Sequence, residues 1–196
     1  DELPQSASGT TIMTTEPKFI PKEAAGVRLS EDVEVKIRMI DCVGYMVNGA
    51  QGHMEGEEER MVKTPWFDQE IPFTQAAAIG TQKVIREHST LGVVVTTDGT
   101  IGELDRAAYV EAEARTIREL KEIGKPFVVL LNSMRPLSKE TKDLGKKLEE
   151  KYMVPVIPVN CEQIKEEEIH EIMRQILFEF PVSEVEFYLP KWVEML

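Results

Sequence analysis

The chain has 196 residues, of which 42% are apolar, and it carries a formal net charge of −12 at pH 7. This length fits one domain with a short piece of a second, and the apolar fraction can fill one core. The acidic charge argues against nucleic acid and anionic lipid as partners, because phosphate groups repel such a surface. No apolar run approaches the roughly 20 residues of a membrane span, and no signal-peptide pattern is present. We therefore expect a cytoplasmic protein. The chain starts at Asp1 without a methionine and stops directly after a new apolar alternation, so we expect both ends to be cuts inside a longer protein.

The first third of the chain predicts a hairpin between two polar segments. Apolar residues at Val27–Leu29 and Val33–Cys42 flank a tight turn at 30–32. A threonine-rich segment, Ser6 to Thr15, precedes the hairpin. Glycines and glutamates without periodicity follow it from Asn48 to Arg60 and predict a loop, long enough that function or mobility is the usual explanation.

The rest of the chain alternates helices and strands. Apolar residues at helical spacing predict helices at 73–88, 105–124, 138–152 and 169–180, and unbroken apolar runs predict strands at 91–97, 126–131 and 154–159. Asp105 and Ser138 are expected to cap two helices, and Gly124 to end one. Apolar strands joined by helices predict parallel strands covered on both faces. The expected fold is α/β, with three layers and a mostly parallel sheet that has one antiparallel edge strand, Val27–Leu29.

Ligands bind to such sheets at the carboxyl ends of the parallel strands, so the strand exits are candidates for a site. Four exits are polar: Asp41-Cys42-Val43-Gly44, Thr96-Thr97-Asp98-Gly99, Asn132-Ser133-Met134-Arg135 and Asn160-Cys161. We expect all four to converge on one edge of the sheet. Cys42 and Cys161 are interpreted as reduced core thiols, since neither has a second ligand at metal spacing.

The first exit has the pattern Asp-x-x-Gly, which in P-loop nucleotide hydrolases ends the strand on the magnesium side of the site. A carboxylate at the end of an apolar strand is costly to bury alone, and a Mg²⁺ shell would satisfy Asp41. Gly44 would bring its backbone N–H close to a terminal phosphate. The alternative is an aspartate that caps a turn and a glycine that completes it, because the pattern is short and no Gly-x-x-x-x-Gly-Lys-Ser/Thr precedes it here.

The order of features along the chain favours the nucleotide interpretation. In GTPase-like domains a mobile threonine-bearing segment precedes a hairpin that leads to the Asp-x-x-Gly strand, and a second mobile loop follows. Thr10, Thr11, Thr14 and Thr15 supply the first segment here, and NGAQGHMEGEEER supplies the second. Threonine hydroxyls could reach the metal or orient the attacking water. A threonine-rich segment that is simply solvated is the alternative.

The exit at Asn132 stands where a guanine-specific enzyme carries Asn-Lys-x-Asp. The aspartate of that motif accepts hydrogen bonds from guanine N–H groups, whereas Arg135 has only donors. The sequence therefore predicts that guanine is not recognised. Either another base is bound, with Asn132 and Ser133 as candidate contacts, or NSMRP is a plain turn that leads into a helix.

Longer blocks of the sequence resemble one family. These blocks are DELPQS with the following GTTIMTTEPKFIP, DCVGYMVNGA, RMVKTPWFDQEIPFTQAAAIGTQKVIREHST, VVVTTDGTIG and GKPFVVLLNS. They resemble the stage IV sporulation protein A family of endospore-forming bacteria, and the likeness runs over essentially the whole chain. That family is similar to translation-factor-class GTPases in fold but hydrolyses ATP. This agrees with the lack of a guanine-recognising aspartate at position 135.

The resemblance implies a P-loop NTPase-like fold with ATP and Mg²⁺ as cofactors. It implies that Asp41 holds Mg²⁺ through water in the Walker B role, and that Thr14 and Thr15 are sensor threonines needed for hydrolysis rather than binding. It also implies a protein that polymerises on the forespore surface, in the mother cell, as the basement layer of the spore coat. The implied partners are other copies, other spore coat proteins and a small amphipathic membrane peptide, with membrane contact only indirect.

The resemblance also implies that half of the site lies outside this chain. The family's P-loop precedes the segment that matches DELPQS, so the chain alone should bind ATP weakly or not at all. Residues 1–181 would form the NTPase-like domain without its P-loop, and residues 182–196 would begin the following middle domain. Two alternatives stay open: a structural scaffold with a vestigial nucleotide site, and a ribosome-assembly GTPase, which Arg135 and the acidic charge disfavour.

Overall fold

The computed structural model describes residues 18–28 and 34–180. The threonine-rich segment with Thr14 and Thr15, the turn predicted at 30–32 and the segment 182–196 lie outside the described residues. The predictions made for them therefore stay predictions.

An antiparallel hairpin opens the described chain. It consists of β1 (Lys18–Arg28) and β2 (Glu34–Asp41). The predicted hairpin is confirmed, but its first strand begins well before Val27. The register shifts between Ile20 and Ala25. Pro21 lies in this irregular stretch, and because a proline argues against a strand it hid the first half of β1 from sequence reasoning.

Two shorter antiparallel pairs follow the hairpin. They are β3 (Met54–Glu55) with β4 (Glu58–Glu59), and β5 (Met61–Thr64) with β6 (Phe67–Pro72). The first pair lies inside Asn48–Arg60, so the prediction of an irregular loop is wrong at its tip. Gly56 turns the chain there with φ of +68°. Sequence reasoning missed both pairs, because β3, β4 and β5 have only two to four residues and β6 is mostly polar and exposed, so none shows an apolar period.

An alternation of helix and strand follows. α1 (Phe73–Lys83) runs into a π-helical turn (Val84–His88), and then come β7 (Gly92–Thr97), α2 (Arg106–Glu122), β8 (Phe127–Asn132), α3 (Lys139–Tyr152), β9 (Val156–Val159) and α4 (Glu166–Phe178). The predicted helices and strands of this part are confirmed. Ser138 caps α3 as predicted, accepting the Thr141 N–H at 3.2 Å. Asp105 stands at the N-cap of α2 as predicted, but its side chain makes no capping hydrogen bond, and its backbone oxygen accepts the Ala108 N–H at 3.0 Å.

Strands β7, β8 and β9 form a parallel sheet in that order, covered by helices on both faces. One face packs against α2 and α3, through Ile117, Leu120, Leu148 and Tyr152. The other face packs against α4, through Ile172 and Ile176. Each strand serves both layers because successive side chains point to opposite faces. The predicted three-layer α/β arrangement is confirmed for β8 and β9, whereas one face of β7 is exposed.

The hairpin of β1 and β2 does not belong to the parallel sheet. Among residues 18–28 and 34–180, β7 pairs with β8 alone, and β1 and β2 form a separate sheet. The prediction of one sheet with an antiparallel edge strand is therefore wrong for this part of the chain. Val93 and Val95 of β7 are 41% and 60% exposed, although they lie opposite Val128 and Leu130, which are buried. A strand pattern shows that a strand forms, but not which edges meet.

A buried carboxylate joins α2 to the sheet and to α3. Glu113 is 4% exposed. Its Oε2 accepts the Thr96 hydroxyl at 2.7 Å and the Arg106 guanidinium at 2.6 Å, and its Oε1 accepts the Tyr152 hydroxyl at 2.8 Å. A buried charge is tolerated only when it is paired and hydrogen-bonded in this way. Glu113 therefore fixes the position of α2 against its neighbours.

We expect Arg106→Ala to lower the unfolding free energy of the chain by about 3 kcal/mol, because Glu113 would keep a buried charge without its ion-pair partner. Arg174→Ala is the matched control. Arg174 pairs with Glu171 at 2.8 Å, but both side chains are half exposed, so its removal should cost less than about 1 kcal/mol. Urea unfolding followed by circular dichroism measures both. Equal costs would contradict the claim that burial decides the strength of the pair.

Candidate functional site

The three parallel strands end side by side in polar residues, as predicted for three of the four exits. The Asp98 N–H donates to the Asn132 carbonyl oxygen at 3.4 Å. The Asn132 Oδ1 accepts the Cys161 N–H at 2.9 Å. These bonds tie the ends of β7, β8 and β9 together. The remaining exit, at Asp41, ends a strand of the hairpin, which is a separate sheet among the described residues, so the prediction that all four exits lie on one sheet edge is wrong for this part of the chain.

Hydroxyl groups surround the Asp98 carboxylate. The N–H and hydroxyl of Thr100 donate to Oδ1 at 2.9 and 2.6 Å, and the Thr141 hydroxyl donates to Oδ2 at 2.8 Å. Burial acts to raise the pKa of Asp98, but hydrogen bonds from Ser133, Thr100 and Thr141 outweigh it and hold the pKa below its ordinary value. Because Thr141 lies in the first turn of α3, the ionised carboxylate joins the exit of β7 to the start of that helix.

The turn after β8 is fastened by its own serine. Ser133 is fully buried, and its Oγ accepts the Arg135 N–H at 2.9 Å and lies 3.2 Å from the Thr141 Oγ1. The hydroxyl is therefore engaged inside the protein. Asn132 is half-buried, with its Oδ1 bonded to Cys161. The role of Asn132 and Ser133 in nucleotide binding stays a prediction, and both residues have a structural task of their own.

A cavity of about 380 Å³ lies beside this cluster. Its lining consists of Asp98, Thr100, Arg135, Ser138, Glu140, Thr141 and Leu144. The lining includes neither Asp41 nor Gly44, so this cavity is not the predicted phosphate site. In the described part of the chain, no group of three or more His, Cys, Asp or Glu side chains could hold a metal ion. Nor does any helix there have the length and apolar character needed to cross a membrane.

The Asp-x-x-Gly segment begins at the end of β2. It has an exposed carboxylate at its start and a glycine in the left-handed conformation at its end. Asp41 is the last residue of β2, and its side chain is exposed. Gly44 has φ of +80°, and nothing lies within 4 Å of where a Cβ would stand. An exposed carboxylate suits Mg²⁺ held through water, and open space beside a glycine suits the close approach of a phosphate. The residues present therefore fit the predicted cofactors.

The thiol of Cys42 lies beside Gly44. Burial raises its pKa, and hydrogen bonds with the Gly44 backbone and the Thr81 side chain oppose this only in part. The thiol therefore stays protonated at neutral pH and is a poor nucleophile. Burial also raises the pKa of Cys161. Both cysteines are free.

Tyr45, directly after Gly44, is a residue that sequence reasoning missed. It is 7% exposed, and its hydroxyl donates to Oε2 of Glu119 on α2. The Arg115 guanidinium lies over the ring, 3.8 Å from its centroid. The only signal in the sequence was an aromatic residue next to a polar exit. Its partner could not be read, because 74 positions separate Tyr45 from Glu119.

The segment after Tyr45 is anchored at its two ends. The Asn48 N–H donates to the Ala108 carbonyl oxygen at 3.3 Å. The Glu59 carboxylate accepts both the hydroxyl and the N–H of Thr74, the latter at 3.0 Å. These bonds lower the pKa of Glu59, and they supply the N-terminal acceptor for α1 that Pro72, at the N-cap, cannot provide. The predicted second mobile loop therefore has a fixed base and an exposed tip.

These features define a mixed α/β protein with a parallel sheet, polar side chains at its carboxyl edge and an Asp-x-x-Gly turn on a separate hairpin. The sequence profile of the family described as stage IV sporulation protein A, ATPase domain, matches residues 1–181. The chain belongs to this family, as the resemblance predicted. This family is one of sporulation proteins with an ATPase domain.

Three curated relatives named stage IV sporulation protein A match the whole chain. Those of Bacillus anthracis and Clostridioides difficile (strain 630) are 53% identical over 196 residues. That of Bacillus subtilis (strain 168) is 54% identical over the same length. In each case the match covers 100% of this chain and 40% of the relative, so the chain spans well under half of their length. No solved structure matches, and the P-loop NTPase-like fold stays a prediction.

We expect the stability that Asp98 contributes to be lost in acid. Its folded pKa lies below the unfolded value of about 3.9, so the contribution is present above that value and disappears as the pH falls through the folded pKa. The parent chain and Asp98→Asn should therefore differ in urea unfolding near pH 7 and differ less near pH 3. Asp143→Asn, on the exposed surface of α3, is the control and should match the parent at both pH values. A gap of equal size at both would contradict the role of the charge.

Proposed function

We propose that this chain is the part of a Mg²⁺-dependent ATPase domain that follows the P-loop, and that the intact protein hydrolyses ATP to license its own polymerisation. Residues 1–181 belong to that domain, and residues 182–196 begin the next one. The observation that carries the proposal is the Asp-x-x-Gly turn, with Asp41 exposed at the end of β2 and Gly44 held open in a left-handed conformation. Membership of an ATPase-domain family supports it.

Asp41 acts on the metal side of the site. Its carboxylate is exposed at a strand end, where it can accept hydrogen bonds from metal-bound water without any desolvation cost. Mg²⁺ neutralises charge that develops on the phosphates during phosphoryl transfer. Gly44 stands three positions later and offers its backbone N–H to the terminal phosphate, which requires the Cys42 thiol beside it to give way. Thr14 and Thr15 orient the attacking water, as the family resemblance suggests.

ATP rather than GTP is the substrate. Arg135 is exposed and carries only donors at the position where guanine-specific enzymes need a carboxylate. Asn132 braces the neighbouring exit through Cys161, so it shapes the base site as well as lining it. A preference for GTP would favour the ribosome-assembly GTPase instead.

Among the described residues β7 pairs only with β8, and its other edge is where we place the P-loop half of the site. Val93 and Val95 are exposed on a face where the equivalent residues of β8 are covered by α4. A further parallel strand, leading to the P-loop, would satisfy the open backbone groups of this edge, and its helix would cover the two valines. The P-loop would then enter the site between the exits of β7 and β2.

The intact protein assembles on the outer surface of the forespore, in the mother cell. Its partners are further copies of itself, other coat proteins and a small amphipathic membrane peptide that supplies the contact with the membrane. The exposed tip of the hairpin of β3 and β4, with Glu55, Glu57 and Glu58, offers an acidic surface to a neighbour. The rival hypothesis is a scaffold that kept this surface and lost the nucleotide chemistry. Filaments that form equally well without any nucleotide would favour the scaffold.

We expect this chain alone to bind ATP weakly or not at all, and a version extended upstream through the P-loop to bind it, because the P-loop amides and lysine supply most phosphate contacts. Calorimetric titration with ATP and with GTP, each with Mg²⁺, measures this on both chains. Binding by the extended chain with a preference for ATP is the expected result. Failure of both chains to bind either nucleotide would contradict the proposed ATPase and favour the scaffold hypothesis.

We expect Asp41→Asn in the full-length protein to reduce ATP turnover by about a hundredfold or more, while ATP binding without Mg²⁺ changes little, because Asp41 acts through the metal. Asp68→Asn is the matched control, since Asp68 is also exposed and lies on β6, away from the Asp-x-x-Gly turn. Phosphate release at a series of Mg²⁺ concentrations measures the effect. Turnover by Asp41→Asn at the parent rate would contradict the assigned role.

A further inference from the structure

Helix α2 accepts a hydrogen bond from a tyrosine at each of two carboxylates. Tyr152 donates to Glu113, and this bond joins α2 to α3. Tyr45 donates to Glu119, and this bond joins α2 to the residue that follows Gly44. The two bonds have the same chemistry, but only one of them touches the Asp-x-x-Gly segment.

Tyr45 is held from several sides. Its ring is packed beneath the Arg115 guanidinium at 3.8 Å, and its hydroxyl is bonded to Glu119. Glu119 is itself held, because its Oε1 accepts Gln82 from α1 at 3.3 Å and pairs with Arg115 at 3.6 Å. Burial, with the hydrogen bond to the Glu119 carboxylate, raises the pKa of Tyr45, so its hydroxyl stays protonated and remains a donor. Tyr45 is thus held in a fixed position against α2.

Tyr45 directly follows Gly44, the glycine of the proposed phosphate contact. Only Cys42, Val43 and Gly44 separate the end of β2 from Tyr45. A span this short is held at one end by the strand ladder and at the other by Tyr45, and extended chain reaches only about 3.5 Å per residue. The orientation of the Gly44 peptide is therefore limited by where the tyrosine is held. Glycine tolerates the left-handed conformation here, but its lack of a side chain leaves it nothing of its own to fix that conformation.

We propose that Tyr45, through its hydrogen bond to Glu119 on α2, is a positioning residue that holds the Gly44 amide in the orientation needed for ATP hydrolysis. This inference rests on the proposed ATPase function. Tyr45 touches neither substrate nor metal in this scheme. It transmits the rigid position of α2 to a glycine that has no side chain to hold it, and whose amide must part from the Cys42 thiol to reach a phosphate. Turnover is sensitive to small displacements because catalytic geometry is met within a fraction of an ångström.

The test uses the full-length protein and three variants that keep the ring or the helix: Tyr45→Phe, Glu119→Ala and the combination of both. Phenylalanine keeps the packing beneath Arg115 and removes only the hydroxyl. We expect kcat for ATP to fall about tenfold in Tyr45→Phe, with KM for ATP changed less than about twofold, because binding relies on other groups. The double variant should be no slower than Glu119→Ala, since both single changes break one and the same bond.

Tyr152→Phe is the matched control. It removes the same kind of hydrogen bond from the same helix, at Glu113, but leaves the segment at Gly44 untouched. We expect it to lower the melting temperature while kcat stays at the parent value, because Thr96 and Arg106 still hold Glu113 and therefore α2. Melting temperatures of all variants are measured alongside the kinetics, so that a loss of turnover is separated from a loss of fold.

The outcomes distinguish this inference from the proposed function. A parent protein without ATP hydrolysis would overturn the proposed function, and this inference with it. An active parent whose turnover is unchanged by Tyr45→Phe would overturn this inference alone. So would a Tyr45→Phe variant that raises KM at constant kcat, or a Tyr152→Phe variant that loses as much turnover as Tyr45→Phe.

Discussion

The position of α2 depends on the buried carboxylate of Glu113, and the rest of the described structure depends on α2. Thr96 from the sheet, Tyr152 from α3 and Arg106 from the start of α2 all donate to this carboxylate. A charge that is 4% exposed is stable only with such partners, so the sheet and the two helices have one arrangement that satisfies it. The far half of the same helix then presents Glu119 to the hairpin that carries the Asp-x-x-Gly turn.

The candidate site consists of two parts that differ in how they are held. Backbone and side-chain hydrogen bonds around Asp98 and Asn132 join the exits of the three parallel strands. The polar groups of this part therefore bond to one another. The Asp-x-x-Gly segment stands on a hairpin that shares no strand pairing with the described parallel sheet. The Asp41 carboxylate is exposed, and nothing lies within 4 Å of where a Gly44 Cβ would stand. Contacts of Tyr45 with α2 connect the two parts.

Much of the fold could be predicted from local pattern. The helices of the second half follow their apolar period, Ser138 caps α3, and the hairpin that ends at Asp41 was recognised from alternation and turn residues. Local pattern failed where strands are two residues long, as at Met54–Glu55, and where a proline interrupts a strand, as at Pro21. At Asp105 local pattern gave the N-cap position but not the absence of a capping bond, because a sequence cannot show whether the side chain turns toward the helix.

The sequence by itself determined the class of the protein: an α/β domain, an Asp-x-x-Gly exit, no carboxylate for guanine, and blocks specific enough to identify the family. Each of these is a property of residues close together in the chain, and short-range spacing is what a sequence displays. The tertiary structure decided that the hairpin shares no strand pairing with the parallel sheet within the described residues, that Ser133 is buried, and that Glu119 accepts the Tyr45 hydroxyl. Those facts depend on which surfaces bury one another, and the energy of burial is set by residues that are far apart in the chain.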